Sequence, residues 1–207
     1  MGSKIKYNAE KALKKSLTVQ SQVVSLTGEN KRVLEIGCNM GETSSVLKRK
    51  GCEVIGIEIN EKAAKIAKDI CNEVIISDIE DEETWRKIEG KYDVAILADV
   101  LEHLKNPGKI LKEVKKYLKR NGFLIVSLPN VANWRIRLSL LFGKFEYKST
   151  GILDNTHLRF YTLKSGRKLI EKDCKIENYF PAATRVPKIL LHIFPTLFAT
   201  QWIFKCK

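Results

Sequence analysis

The sequence predicts an α/β protein, a doubly wound parallel sheet with helices on both faces. Three observations carry that reading. Short runs rich in Val and Ile alternate with helix-patterned segments between residues 33 and 130. The runs are apolar along their length, as strands covered on both faces tend to be. The first run ends in a small-residue turn, Gly37-Cys38-Asn39-Met40-Gly41, where a strand hands over to a helix in little space.

The elements follow in order. Ala9, Ala12, Leu13, Leu17 and Val24 give a loose helical period over about 8–26, a helix that packs on the sheet or lids the site. VLEI (33–36) is a strand, and GETSSVLKRKG is a short helix closed by Gly51. EVIGIEI (53–59) is a strand, followed by a helix with Asn60 as its N-cap. EVIISDI (73–79) is a strand, then comes the weakly helical EDEETWRKIEG. YDVAILADV (92–100) is a strand. PGKILKEVKKYLKRNG (107–122) reads as a helix with Pro107 at its start and Gly122 past its end. FLIVSLPN (123–130) is the next strand.

The rhythm breaks after Asn130. Residues 130–161 look like an insertion, a helix over about 132–142 and then a loop ending at Tyr161. TLKSGRKLIEKD is helical with Thr162 as N-cap, and KIENYFPA (175–182) is a strand. The tail reads as a short amphipathic helix followed by a final strand, FATQWIFKC.

A chain of 207 residues suits a single domain, 1–207. Five cysteines form no CxxC pair, and no signal peptide opens the chain, so a reduced, cytoplasmic protein is expected. The three histidines show no metal-ligand spacing, and no metal is expected. The net charge of +13 admits an anionic partner such as RNA, though most of it is lysine at helix-surface spacing. The apolar tail is too short and interrupted to span a membrane, which leaves peripheral membrane contact through the C-terminal region.

The ligand of the first turn can be narrowed. A phosphate-binding loop needs GxxxxGK[ST]; Gly37 and Gly41 are too close, and no Lys-Ser or Lys-Thr follows. A dinucleotide site wants GxGxxG, but Asn39 and Glu42 stand where glycines belong. The pattern present is Glu35-x-Gly37-x-x-x-Gly41. With it the chain resembles the class I S-adenosylmethionine-dependent methyltransferases, whose first motif is commonly [DE]xGxGxG. Asn39 replaces the middle glycine, and Asn tolerates left-handed backbone. Three more landmarks follow in order: Glu58 in GIEIN, Asp78 in SDIED, and ILADVLEHLKNP after the fourth strand.

The resemblance implies a Rossmann-like, seven-stranded sheet in order 3-2-1-4-5-7-6 with strand seven antiparallel. It implies S-adenosylmethionine held by Glu35, Gly37, Cys38, Asn39 and Gly41, by Glu58 on the ribose hydroxyls with Ile59, by Asp78 and Ile79 at the adenine, and by Ala98 and Asp99 near the methionine end. It also implies a small-molecule acceptor, such as a hydroxyl of a sugar, glycan precursor or other metabolite. Glu58 and Asp78 could instead cap the segments after their strands, and Cys38 suits a turn filler better than a nucleophile. Glu102 and His103 are structural or lie near the methyl group.

The acceptor side should draw on His103 and on the insertion, with Asn130, Asn133, Trp134, Arg135 and Arg159 binding and His157 as base, its ordinary pKa lying near neutrality. His157 could also simply hold the insertion in place. Two rival functions remain. An RNA or protein methyltransferase is suggested by the charge, but Ala98-Asp99-Val100-Leu101 stands where nucleobase enzymes often carry Asn/Asp-Pro-Pro-Tyr/Phe. The other is a cofactor-binding module without catalysis.

Overall fold

The computed structural model describes residues 17–184 and 186–207. Its elements are α1 (Val19–Thr27), β1 (Arg32–Ile36), α2 (Glu42–Arg49), β2 (Glu53–Glu58), α3 (Glu61–Ala67), β3 (Glu73–Ile76), α4 (Glu82–Arg86), β4 (Tyr92–Ala98), a 3-10 turn (Leu101–His103), α5 (Pro107–Lys116), β5 (Leu118–Pro129), α6 (Trp134–Leu141), α7 (Leu163–Ile170), β6 (Ile176–Ala182), α8 (Lys188–Ile193), α9 (Pro195–Phe198) and β7 (Gln201–Cys206). The expected N-terminal helix over 8–26 is seen as α1; its first part, 8–16, lies outside the described residues.

The seven strands form one sheet in the order β3-β2-β1-β4-β5-β7-β6. The pairs from β3 through β5 are parallel, and β7 runs antiparallel to both β5 and β6. Side chains alternate between two cores. Leu34 and Ile36, Ala95 and Leu97, and Leu124, Val126 and Leu128 point into one layer with Trp202 and Phe204. Val33, Val94, Ile96, Ile125 and Ile203 point into the other. A strand buried on both faces has no polar side to show, which is why these runs read as continuous apolar stretches.

Three boundaries differ from the sequence reading. The helix from Pro107 stops at Lys116, and β5 begins at Leu118. Gly122 is therefore not a helix stop but part of the strand. A Cβ there would lie 2.9 Å from the carbonyl oxygen of Tyr92, at the register shift between Tyr92 and Val94. β3 ends at Ile76 rather than at residue 79, because the chain turns at once. There the Thr84 hydroxyl donates to the Asp78 carbonyl, and the Asp78 carboxylate accepts from the Glu80 amide at 2.8 Å. The last strand begins at Gln201, not at residue 198.

The segment 130–161 leaves the sheet and returns to it at one point. Asn130 and Tyr161 form an isolated parallel bridge, and the Val131 amide donates to the Tyr161 carbonyl at 2.8 Å. Among the described residues, no helix is long and apolar enough to cross a membrane.

Candidate active site

The site lies beyond the C-terminal ends of the parallel strands, where open sheets of this kind bind ligands. Left-handed backbone builds its first wall. Gly37, Asn39 and Gly41 have φ of 71°, 49° and 80°. A side chain at Gly37 would be strained, and its Cβ would come within 2.8 Å of Val100 Cγ2. Asn39 occupies the left-handed conformation that a middle glycine would otherwise supply.

Glu58 ties this turn to the next one. One carboxylate oxygen accepts from the Asn39 amide at 2.9 Å, the other from the Asn60 amide at 2.8 Å. The cap of α3 is Asn60 itself, which accepts from Lys62 and Ala63. Glu35 lies beneath the turn. It is buried, accepts from the Ser44 hydroxyl, and burial pushes its carboxyl up to about 8. Cys38 meets the site through its backbone; its buried thiol packs over Gly56 in the sheet.

Three adjoining cavities follow, which share lining residues. The first, about 1100 Å³, is lined by Glu35, Gly37, Asn39, Glu58, Ala98 and Asp99, with Thr18 and Gln20 contributed by the start of α1. The second, about 350 Å³, collects Glu58, Ile59, Ser77, Asp78 and Ile79. Ile79 is buried on its floor, whereas Ile59 is 65% exposed at its rim. The third, about 640 Å³, is formed by the insertion and includes Asn133, Arg135, Ile136, Lys144, Asp154 and His157. Asp99 and His103 line all three.

Asp99 has φ of 58°, unusual for a residue other than glycine. Its Oδ1 accepts from the Ser127 hydroxyl and from the Gln201 side-chain amide, both at 2.6 Å. Ser127 and Gln201 were not foreseen. Ser127 had a signal, a polar break in the apolar run of β5; Gln201 had none.

On the acceptor side, some expected residues are turned to other work. Asn130 is fully buried, and its amide nitrogen donates to the carbonyls of Thr196 and Ala199 at 3.1 and 2.9 Å. Asn133 caps α6 and donates to the Ala199 carbonyl at 3.0 Å. These asparagines pin α9 and the entry to β7 against the exit of β5. Trp134 carries the Arg135 guanidinium 5.5 Å from its ring centroid and lines none of the three cavities. Arg159 lies outside them as well, its guanidinium donating to the Lys105 carbonyl. Of the expected acceptor residues, His103, Asn133, Arg135 and His157 line the third cavity.

His157 is held from both sides. Its Nδ1 lies 3.1 Å from the Ile152 carbonyl, and Nε2 faces Glu102 Oε1 at 4.0 Å. Glu102 is fully buried with both carboxylate oxygens unpartnered among the described residues. Burial first, and then the Asp99 charge, raises its carboxyl well above the usual range.

A sheet in this strand order, with a left-handed first turn and an acidic second strand end facing one cleft, defines the Rossmann-like methyltransferase class. The family described as a methyltransferase domain matches residues 6–172, and the chain belongs to it. Among curated proteins, it is 31% identical over 113 residues to the ubiquinone biosynthesis O-methyltransferase of Dechloromonas aromatica, covering 53% of this chain and 48% of that protein. It is also 31% identical over 116 residues to the protein of that name from Bordetella bronchiseptica, covering 54% and 47%. The chain thus matches about half the length of these relatives. Among solved structures, a SAM-dependent methyltransferase from Archaeoglobus fulgidus superposes with TM-score 0.66 at 19% identity, over 96% of this chain and 94% of that one. Magnesium protoporphyrin IX methyltransferase from Synechocystis PCC 6803, with bound SAH, gives TM-score 0.62 at 18% identity over 97% and 81%. These two likenesses establish the fold.

Proposed function

We propose that this chain, acting as one methyltransferase domain, moves the methyl group of S-adenosylmethionine to a hydroxyl of a small molecule such as a phenol, a sugar or a glycan precursor. The observation that carries the reading is the junction of three cavities at Asp99 and His103. A nucleoside part, an amino-acid part and an acceptor would each have a lobe, meeting where a methyl group would pass.

The residues present fit the cofactor. Bent, Cβ-free backbone at Gly37 leaves room for close approach of a ligand, and Glu58 stands at the strand end where ribose hydroxyls are met in this architecture. Exposed Ile59 and buried Ile79 offer apolar surfaces on either side of the second cavity, beside the Asp78 carboxylate. When bound, the cofactor would supply an activated methyl for the acceptor oxygen, its sulfur keeping the electrons of the broken C–S bond and the hydroxyl proton passing to solvent. The chain's own part is alignment. Asp99, braced by Ser127 and Gln201, fixes the wall between cofactor and acceptor. The O-methyltransferase names of the relatives support oxygen as the receiving atom.

The test is transfer of labelled methyl from S-adenosylmethionine into separate pools of phenols, sugars, peptides and RNA. Label in a hydroxyl-bearing small molecule is expected. Label confined to RNA, the reading that the +13 charge favours, would overturn the proposal. Calorimetry with S-adenosylhomocysteine should show binding that Glu58→Ala weakens by about 1.5–3 kcal/mol, the value of a hydrogen bond to a charged acceptor.

A further inference from the structure

We propose that Glu102, His103 and His157 bind a divalent first-row transition metal ion of the zinc type, with its open coordination positions turned toward the acceptor cavity. One donor atom from each residue lies within 4.8 Å of the other two. The three come from two places in the chain, the 3-10 turn after β4 and the loop that closes the insertion. That separation is why sequence spacing gave no sign of a metal.

The hydrogen bonds orient the donors. His103 Nδ1 lies 3.3 Å from the Thr156 carbonyl, and His157 Nδ1 lies 3.1 Å from the Ile152 carbonyl. A carbonyl only accepts, and the Thr156 hydroxyl, also 3.2 Å from His103 Nδ1, gives its own hydrogen to Asp154 Oδ1 at 2.6 Å, so in each ring Nδ1 carries the hydrogen and Nε2 presents a lone pair. Metal-bound histidines are held in this way, with the second ring nitrogen donating to a carbonyl or carboxylate. Glu102 supplies the third donor from a fully buried position, with neither oxygen partnered among the described residues.

His157 Nε2 and Glu102 Oε1 face each other at 4.0 Å, close enough to share a ligand but too far apart to hydrogen-bond each other directly. Buried acid oxygens without partners are costly in either protonation state, and a cation placed between Glu102 and the two imidazoles would satisfy them. Arg135, Lys144 and Lys148 line the same cavity, but among the described residues only His157 comes within 4 Å of the Glu102 carboxylate as a charge partner. The Arg159 guanidinium is turned to the Lys105 carbonyl, and Asp99 and Asp154 on the cavity wall are acidic. The backbone holds the arrangement closed, since the amides of Leu158 and Arg159 both donate to the Glu102 carbonyl, at 2.8 and 3.1 Å.

The donor set selects the ion. Two imidazole nitrogens and one carboxylate oxygen suit zinc and its neighbours, whereas magnesium and calcium want oxygen ligands. Bonds of about 2.0–2.2 Å would draw the donors together by roughly an ångström, within the reach of small side-chain rotations. Three protein ligands leave positions for an acceptor oxygen, which on such an ion gives up its proton more readily, here to solvent through the open cavity. This role toward the acceptor rests on the methyl-transfer reading; the ion site itself does not.

The experiment uses the full-length protein, stripped with chelator and dialysed against Zn2+ or Mg2+, with bound metal counted by mass spectrometry. One Zn2+ per chain is expected, undisturbed by excess Mg2+. Glu102→Gln and His157→Gln should each weaken retention at least tenfold, while His192→Gln, altering a histidine on α8, should not. Should a site variant fail to fold, Co2+ in the wild-type protein decides, because visible bands of a nitrogen-ligated site are expected and their absence would overturn the proposal. Failure to retain Zn2+, or equal retention by the Glu102 and His157 variants, would also overturn it. Binding of S-adenosylhomocysteine to the stripped protein separates the two claims. If it persists without any retained ion, the ion site alone falls; if an ion is held but the nucleoside is not, only the cofactor reading falls.

Discussion

The two buried acids, Glu35 and Glu102, mark two regions built on different principles. Glu35 sits under the cofactor turn and takes its hydroxyl partner, Ser44, from the helix that follows its own strand. Glu102 sits under the acceptor cavity, and the groups that face it come from the distant insertion. Around Glu35 local sequence determines the geometry, because backbone and nearest elements do most of the shaping. Around Glu102 the geometry depends on long-range closure of a loop with little regular structure. The comparison can be broken or sharpened at several points.

The largest effect is expected at Glu35. Burial holds its folded-state carboxyl at about 8, well above the ordinary value of 4.5. Below about pH 4.5 the acid is protonated whether folded or unfolded, and stability is unaffected. Between about 4.5 and 8 the unfolded chain ionises and the folded one resists, so stability falls as pH rises. The loss levels off above the folded value, at about 5 kcal/mol. Glu35→Gln keeps an acceptor for Ser44 and should flatten that slope in denaturant titrations run across this range. An unchanged slope would mean the cofactor turn does not rest on a neutral acid.

Next comes Gly37→Ala. Left-handed backbone costs an alanine about 1–2 kcal/mol, and the added carbon would also displace Val100. Cofactor affinity should fall roughly 100-fold by calorimetry, with a smaller change in melting temperature. If the melting temperature falls as far as the affinity, the turn is a folding element first.

Asn133→Ala should behave in the opposite way. It removes the cap of α6 and one of the two side-chain donors to the Ala199 carbonyl, the other being Asn130, for a loss of about 1.5 kcal/mol in stability. Cofactor affinity should stay within about threefold, since the residue touches only the acceptor region. A large drop in cofactor binding would show the two regions to be coupled through β7.

These cases show what the sequence could convey. The alternation of strand and helix, the small-residue first turn and the Asn60 cap were legible because each depends on neighbours in the chain, whereas the strand order followed from the family resemblance. Asn130, Asn133 and Arg159 read in the sequence as acceptor groups, and their side chains also make backbone contacts that the sequence could not show, for the complementary reason. Polar side chains in an irregular segment resemble binding residues until their partners are known, and here those partners are the backbone carbonyls of Thr196, Ala199 and Lys105. Gly122 was misread as a helix stop because its constraint, the Tyr92 carbonyl, lies on another strand. The Glu102, His103 and His157 cluster stayed hidden because its members meet only after the insertion closes.

The smallest effect should come from Asn39→Gly, which restores the family's middle glycine. Asn39 already holds a left-handed φ of 49°, so glycine removes a modest strain rather than changing the turn. The contact that matters is made by the backbone: the residue 39 amide donates to Glu58, and glycine keeps that donor. The Asn side chain is exposed, so little packing is lost. Cofactor affinity should therefore stay within about threefold and stability within about 1 kcal/mol. Asn39→Val supplies the contrast, because a β-branched residue is poorly tolerated in left-handed backbone and should weaken cofactor binding markedly. If glycine impaired binding while valine did not, the Asn39 side chain itself would be touching the ligand, and the cofactor region would depend on side-chain chemistry as the acceptor region does.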